Sequence, residues 1–241
     1  MKGVLCFLTV VGAVGVALAQ EVSPSCVPAQ LPPLTVGINL GEYKTTLIDY
    51  HDSGRYQADL AKVDQEAGAY LTKRVAQPGE KLAAVFDIDE TSLSNWPVLK
   101  INDFARIASG GCDMNTGPCS FPEWLSKGQD EAIGPTLELY RLARSKGVAV
   151  FFITGRHEVR GAREATEANL RRVGYNDFAG LSMEAADMKV ASAACYKTPA
   201  RSKIEQQGYT IVLNVGDQQS DLAGGHAERT FKLPNPFYYI P

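Results

Sequence analysis

Residues 82–91 read LAAVFDIDET, an apolar run that stops abruptly at Asp87, Ile88, Asp89, Glu90 and Thr91. The run is short and rich in β-formers, and Gln77-Pro78-Gly79 breaks the chain just before it, so the sequence predicts a buried strand over 82–86. Two further runs have the same character. VAVFFI at 148–153 follows Lys146-Gly147, and YTIVLNV at 209–215 follows Gln207-Gly208. Each comes after a helical stretch, 134–145 and 201–207. A longer packing helix is predicted over 43–75, where Tyr56, Leu60, Val63, Ala67 and Leu71 recur at helical spacing. Continuous apolar strands alternating with helices suit a parallel sheet covered on both faces, so the fold class is α/β.

Ligands of such sheets lie outside the carboxyl ends of the strands, which directs attention to the residues after each run. After the first come Asp87 and Asp89, at positions i and i+2, which on a strand point the same way. Two like charges on one side call for a shared proton or a cation, and a hard divalent ion with oxygen ligands supplies the latter. Taken alone, the same residues also read as an acidic turn. After the third run comes Gly216-Asp217-Gln218-Gln219-Ser220-Asp221, in which Asp217 ends a strand and Asp221 enters a helix. Together the two segments form an oxygen cage suited to Mg²⁺. After the middle run, Thr154-Gly155-Arg156 offers a hydroxyl, an open backbone step and a guanidinium fork matched to phosphate oxygens. A strand, a turn and a surface arginine would look the same in isolation.

The order of these parts resembles the haloacid dehalogenase (HAD) superfamily, whose motifs are DxDx[TV], a hydrophobic strand ending in Thr or Ser, a Lys, and GDxxxD. Here they stand as DIDET at 87–91, FFITGR at 151–156, Lys197, and GDQQSD at 216–221. The longer strings DIDETSLSN, YKTPAR and GYTIVLNVGDQQSDL are similar to the subfamily IIIB, or class B, acid phosphatases. That group includes plant acid phosphatases, vegetative storage proteins and bacterial outer-membrane acid phosphatases. The resemblance runs from about residue 43 to the end of the sequence. It implies a Rossmannoid three-layer sandwich with N-terminal helices and a small insert after the first motif.

It further implies that Asp87 attacks phosphorus, while Asp89 protonates the leaving alcohol and then activates water. Mg²⁺ would be held by Asp87, the backbone carbonyl of Asp89, Asp217 and, in the outer shell, Asp221. Thr154, Gly155 and Arg156 would hold the phosphate. Lys197 would neutralise the nucleophile and phosphate; Lys189 and Lys203 lie nearby, and the YKxxxR pattern selects Lys197. The expected function is a Mg²⁺-dependent acid phosphatase acting on small phosphomonoesters, nucleotides among them. Transfer of phosphate to an alcohol, or a non-catalytic storage role in the same fold, are the alternatives. A dehalogenase needs neither the leaving-group acid nor the metal cage.

Lys2, an apolar run over 3–16 and Ala17-Leu18-Ala19 have the pattern of a cleavable export signal, with cleavage expected after Ala19 and a secreted or periplasmic destination. The run is shorter than the roughly 20 residues a membrane span needs. An extended leader is expected over 20–42, followed by one domain over 43–241. With 24 basic and 27 acidic residues, a net charge of −3 and no basic block, the chain has no feature that attracts nucleic acid or a membrane surface. Besides Cys6 in the apolar run there are Cys26, Cys112, Cys119 and Cys195. Cys112 and Cys119 flank the turn-rich DMNTGP and are expected to pair, which leaves Cys26 with Cys195. A zinc site is disfavoured, because no CxxC pair is present and no His lies near. The insert over 96–132 carries Trp96 and Trp124, read chiefly as its core and alternatively as a stacking surface for an aryl or nucleoside leaving group.

Overall fold

The computed structural model describes residues 37–76 and 81–241. The export signal, most of the leader, Cys26 and the Gln77-Pro78-Gly79 turn lie outside them. Along the chain come α1 (Leu40–Asp52), α2 (Arg55–Arg74), β1 (Lys81–Phe86), β2 (Leu93–Ser94), α3 (Trp96–Ile101), α4 (Phe121–Lys127), β3 (Glu131–Ala132) and α5 (Gly134–Ser145). They are followed by β4 (Ala149–Glu158), α6 (Ala162–Arg172), β5 (Gly180–Ala185), α7 (Ala194–Gln206), β6 (Tyr209–Gly216), α8 (Gln219–Leu222) and β7 (Thr230–Lys232). Among these helices none is long and apolar enough to cross a membrane.

The three apolar runs become the three central strands of a five-stranded sheet ordered β5-β4-β1-β6-β7, every pair parallel. Phe86 of β1 lies opposite Phe152 of β4 on one side and Val215 of β6 on the other. Alternation along each strand divides its side chains between two layers. Ala84, Phe86, Val150 and Phe152 join Leu60 and Leu71 of α2 and Leu139 and Tyr140 of α5 in the larger core. Ala83, Val85, Phe151 and Ile153 meet Tyr196, Ala200 and Ile204 of α7 in the smaller one. Phe152 is wholly buried between Phe86, Tyr140, Tyr175 and Phe178, and its truncation to Ala would cost about 3–5 kcal/mol. The result is the expected three-layer α/β sandwich, with β1 at its centre between two parallel strands, β4 and β6, that both come later in the chain.

Several boundaries differ from the sequence reading. The single helix expected over 43–75 is two, because Gly54 adopts φ +81, a left-handed conformation that stops α1 and starts α2 at a new angle. Helix α7 begins at Ala194, with Pro199 inside it, whereas the helical stretch was expected only from 201. The Pro penalty is offset by burial of the Tyr196, Ala200 and Ile204 side chains against the sheet. Strand β4 does not stop at Ile153 but runs on to Glu158, with a register shift against β5 between Thr154 and His157. Gly155 and Arg156 therefore sit in an irregularity of a strand, the kind of distortion that redirects a side chain. Edge strands β5 and β7 and helix α6 were not anticipated.

The insert has its own small core of Val98, Cys119, Phe121 and Trp124. The β2–β3 ribbon closes its base, and a Cys112–Cys119 disulfide staples its loop as expected. Trp124 is buried there and donates its ring N–H to Asn95 Oδ1 at 3.0 Å, which makes it a packing residue. Trp96 stacks on His51, with ring centroids 3.7 Å apart.

Candidate active site

Asp87 continues the β1–β6 ladder by one residue, its N–H donating to Val215 O at 3.0 Å. Beyond it the chain makes a tight turn in which the N–H groups of Ser92 and Leu93 both donate to Ile88 O, with Glu90 at φ +54. Asp217 leaves the end of neighbouring β6, and Asp221 enters through α8. Ligand oxygens of Asp87, Asp217 and Asp221 lie within 4.8 Å of one another, all three residues buried. Gly216 makes this possible: a Cβ there would sit 2.4 Å from Asp221 Cβ and 2.6 Å from its Oδ2, so a side chain would displace the carboxylate. Lys197 reaches in from α7, with Nζ donating to Asp87 Oδ1 at 2.5 Å and Asp221 Oδ1 at 2.6 Å. Asp87 Oδ2 has no hydrogen-bond partner among the described residues. Lys189 and Lys203 are exposed.

Lys197 pairs with Asp87 and Asp221 but not with Asp217, and Lys232 reaches only the Asp217 carbonyl, so the three buried carboxylates outnumber the charges that face them and their titration reflects the imbalance. Burial raises Asp87 well above the ordinary carboxylate range; Lys197 opposes the rise, and Asp221, Asp217 and Asp89 add to it. Asp217 is pushed up to about 7 by burial and then by Asp221. Burial works against the charge of Lys197, yet Asp221 and Asp87 hold it above the ordinary lysine value, so it stays an ammonium. A divalent cation would redress this excess of negative charge, and three carboxylate oxygens form a hard donor set. The residues therefore fit such an ion.

Asp89 lies in different surroundings. The Arg156 guanidinium binds it through NH2 at 2.8 Å and Nε at 3.2 Å, and Asn95 Nδ2 donates to the same Oδ1 at 2.8 Å. Burial opposes ionisation of Asp89, but Arg156 outweighs it and holds the carboxyl below its usual range. Arg156 is itself buried and also donates to Asp130 Oδ2 at 3.0 Å. The Asp89 side chain is thus held by Arg156 and Asn95 and is not part of the Asp87, Asp217 and Asp221 cluster. Arg156, expected to hold phosphate, faces the carboxylates of Asp89 and Asp130 in this structure. Thr154 is fully buried, and its Oγ1 accepts the Arg156 N–H at 3.2 Å. Gly155 lies beside Glu184 of β5, whose Oε2 would be 3.9 Å from a Cβ at that position.

Residues 35–241 match the family model described as HAD superfamily, subfamily IIIB (Acid phosphatase). The chain belongs to this subfamily. It is 38% identical to the stem 28 kDa glycoprotein of Glycine max over 80% of this chain and 72% of that one. It is 34% identical to acid phosphatase 1 of Solanum lycopersicum, over 77% of this chain and 69% of that protein. Vegetative storage protein 1 of Arabidopsis thaliana is 32% identical over 78% of this chain and 67% of its own length. The fold is similar to that of the class C acid phosphatase from Bacillus anthracis, with a TM-score of 0.65 at 22% identity, covering 84% of this chain and 87% of that one.

With the subfamily established, its longer strings acquire physical roles. In YKTPAR, Lys197 enters the cage while the two flanking signature residues brace it. The Tyr196 hydroxyl donates to the carbonyl of Thr154, and Arg201 NH1 donates to Asp221 O at 2.6 Å. In DIDETSLSN, the Thr91 hydroxyl donates to Asp217 Oδ1 at 3.0 Å and ties the first motif to the last. Asn95, nominally the end of that string, holds Asp89 and receives Trp124. Thr91 and Asn95 lie inside the DIDETSLSN string, but residue type and spacing alone mark no role for either. Asp130, Gln218 and Asn235 were also missed. Nothing local marks Asp130 or Asn235, whose partners are distant in sequence.

Proposed function

We propose that this chain is an exported phosphomonoesterase that uses a divalent ion, Mg²⁺ by the chemistry of its oxygen ligands, and forms a phosphoaspartyl intermediate on Asp87. The observation that carries the reading is the convergence of Asp87, Asp217, Asp221 and Lys197 at the carboxyl end of the central strand. A carboxylate nucleophile splits phosphate-ester hydrolysis into two easier displacements. The oxygen of Asp87 that Lys197 leaves unbonded attacks phosphorus as the bond to the leaving oxygen breaks. Lys197 and the Thr154 hydroxyl offset charge on the phosphoryl oxygens. When bound, the divalent ion supplies positive charge that lowers repulsion between Asp87 and the dianionic substrate.

Asp89 hands its proton to the departing alkoxide, then takes one from the water that attacks the acyl phosphate. Phosphate leaves and the Asp87 carboxylate returns. The Arg156 contact favours ionised Asp89, the form needed in the second step. The first step needs the proton, and both an acid medium and the arrival of a dianion beside Asp89 favour it. Small phosphomonoesters are the expected substrates. The Asp87 carboxylate placed beside Lys197, Asp217 and Asp221 supports catalysis over a storage role.

The test is hydrolysis of p-nitrophenyl phosphate and a nucleotide panel, with EDTA and with added Mg²⁺. Turnover that disappears with EDTA and returns with Mg²⁺ is expected. Undiminished turnover in EDTA contradicts the metal requirement, and absence of turnover under every condition contradicts the enzyme reading. Added alcohol separates the two acceptor chemistries, because an alkyl phosphate product would reveal transfer.

A further inference from the structure

Residues 233–241, which follow β7, supply no residue to the Asp87, Asp217, Asp221 and Lys197 cluster, yet they run directly along the loop that carries Asp217. Leu233 N–H donates to Gly216 O at 2.9 Å, and the Ser220 hydroxyl donates to Ile240 O at 3.1 Å. Between these two anchors lie two side-chain amides with a common target. Asn235 Nδ2 donates to Asp217 Oδ2 at 2.7 Å, and Gln218 Nε2 donates to the same oxygen at 2.6 Å.

Each amide could in principle be turned end for end, and each is prevented from turning. Asn235 Oδ1 accepts the Phe237 N–H at 2.9 Å, and Gln218 Oε1 accepts the Ile240 N–H at 3.1 Å. A backbone N–H needs an acceptor, so the oxygen end of each amide is committed to residues 237 and 240 and the NH₂ end must face Asp217. Phe237 is buried among Tyr56, Trp96 and Phe104, which fixes the position of its N–H.

The consequence falls on the carboxylate. An ionised carboxylate oxygen accepts about two hydrogen bonds. Oδ2 of Asp217 has both filled by amides, while Oδ1 has only the Thr91 hydroxyl at 3.0 Å. Oδ1 is thus the oxygen with a lone pair to spare. We propose that residues 233–241 orient the metal cage: Asn235 and Gln218 are positioning residues that occupy Oδ2 of Asp217 and present Oδ1 alone to a divalent cation. This rests on the divalent-ion reading given above, and the test separates the two.

The full chain is titrated with Mg²⁺ by calorimetry and with Mn²⁺ by electron paramagnetic resonance, as wild type, Asn235→Ser, Gln218→Met and Tyr238→Phe. Serine keeps a turn oxygen for the Phe237 N–H but cannot reach Asp217. Gln218→Met removes the other donor together with the Gln218 side-chain contacts to the Ile240 N–H and to the first turn of α8, and leaves the turn at 235 intact, so it serves if the first variant does not fold. Tyr238→Phe removes a hydroxyl of the same segment that donates to Glu90 Oε2 at 2.6 Å and not to Asp217. Outer partners of metal ligands are worth about 10–100-fold in affinity. Mg²⁺ binding is expected to weaken by about 10-fold or more in the first two variants, with an altered Mn²⁺ spectrum, and to change less than about twofold in Tyr238→Phe. Activity of the first two should recover as Mg²⁺ is raised. Wild-type affinity in both donor variants, or an equal loss in Tyr238→Phe, overturns the assignment. A wild-type chain that binds neither ion overturns the divalent-ion reading itself, and this inference with it.

Discussion

Asp87 and Asp89 are separated by one residue, the first buried and the second half-buried, yet one is held by a shortage of positive charge and the other by a sufficiency. Asp87 shares Lys197 with Asp221, and Asp217 lies in the same cluster without that ion pair. Asp89 has the Arg156 fork and an Asn95 amide. Environment rather than residue type separates their chemistry: the first cluster calls for an additional cation, and the second is nearly complete. Two carboxylates with divergent surroundings are what a nucleophile and a proton-transfer group require.

The comparison can be broken most severely at Asp87. Asp87→Asn keeps the shape of the side chain and removes the nucleophile, so turnover of p-nitrophenyl phosphate should fall by about 10³-fold or more, with circular dichroism unchanged. Asp89→Asn should cost about 10²–10⁴-fold on alkyl phosphates, measured as kcat. The loss should be smaller on p-nitrophenyl phosphate, whose leaving group departs without a proton. Equal losses on the two substrates would contradict a role in protonating the leaving group. Arg156→Lys keeps the charge but loses the fork geometry. About a 10-fold loss on alkyl phosphates is expected, the worth of one charge-assisted hydrogen bond, with Mg²⁺ affinity unaltered. A fall in Mg²⁺ affinity instead would mean that the two clusters are not separate.

Asp64 sharpens the comparison as a buried carboxyl that forms no ion pair among the described residues. It lies on α2 against α5, with Oδ2 accepting the Thr136 hydroxyl at 3.0 Å and Oδ1 without a partner. Tyr175 is the other titratable group facing it, and its hydroxyl is committed to Ser92 O. Burial pushes Asp64 up to about 7. The folded chain therefore keeps this proton through a range where the unfolded chain, near 3.9, has lost it. Stability from this group is complete below about pH 4 and declines toward pH 7, on the order of 1.4 kcal/mol per pH unit. Asp64→Asn should flatten that decline in urea unfolding measured at pH 4, 5.5 and 7. An unchanged slope would mean that Asp64 is ionised in the folded protein.

The central strands were legible because a fully buried parallel strand must be a continuous apolar run, as at 82–86, 148–153 and 209–215. The edges were not. GLSMEA of β5 and TFK of β7 are exposed on part of their surface and carry too little apolar pattern to stand out. Helix α6 is dominated by charged and polar residues, and only Thr166, Asn169 and Leu170 of it are buried. The candidate site was legible as far as it lies at strand ends. Its outer partners were not, since Asp130 reaches Arg156 from the insert and Asn235 reaches Asp217 from beyond β7. Such partners are set by packing of distant segments, which spacing along the chain does not record. Arg156 shows the limit most plainly: its place after the apolar run of β4 was legible, and the Asp89 and Asp130 carboxylates it touches were not.

The most direct test of the account is chemical trapping of Asp87. An acyl phosphate on this side chain is reduced by borohydride to homoserine, so enzyme quenched during turnover and then reduced should yield a peptide with that mass change at position 87 alone. The same treatment of Asp87→Asn should yield none. Trapping at another residue, or steady turnover with no modified peptide, would contradict covalent catalysis by Asp87.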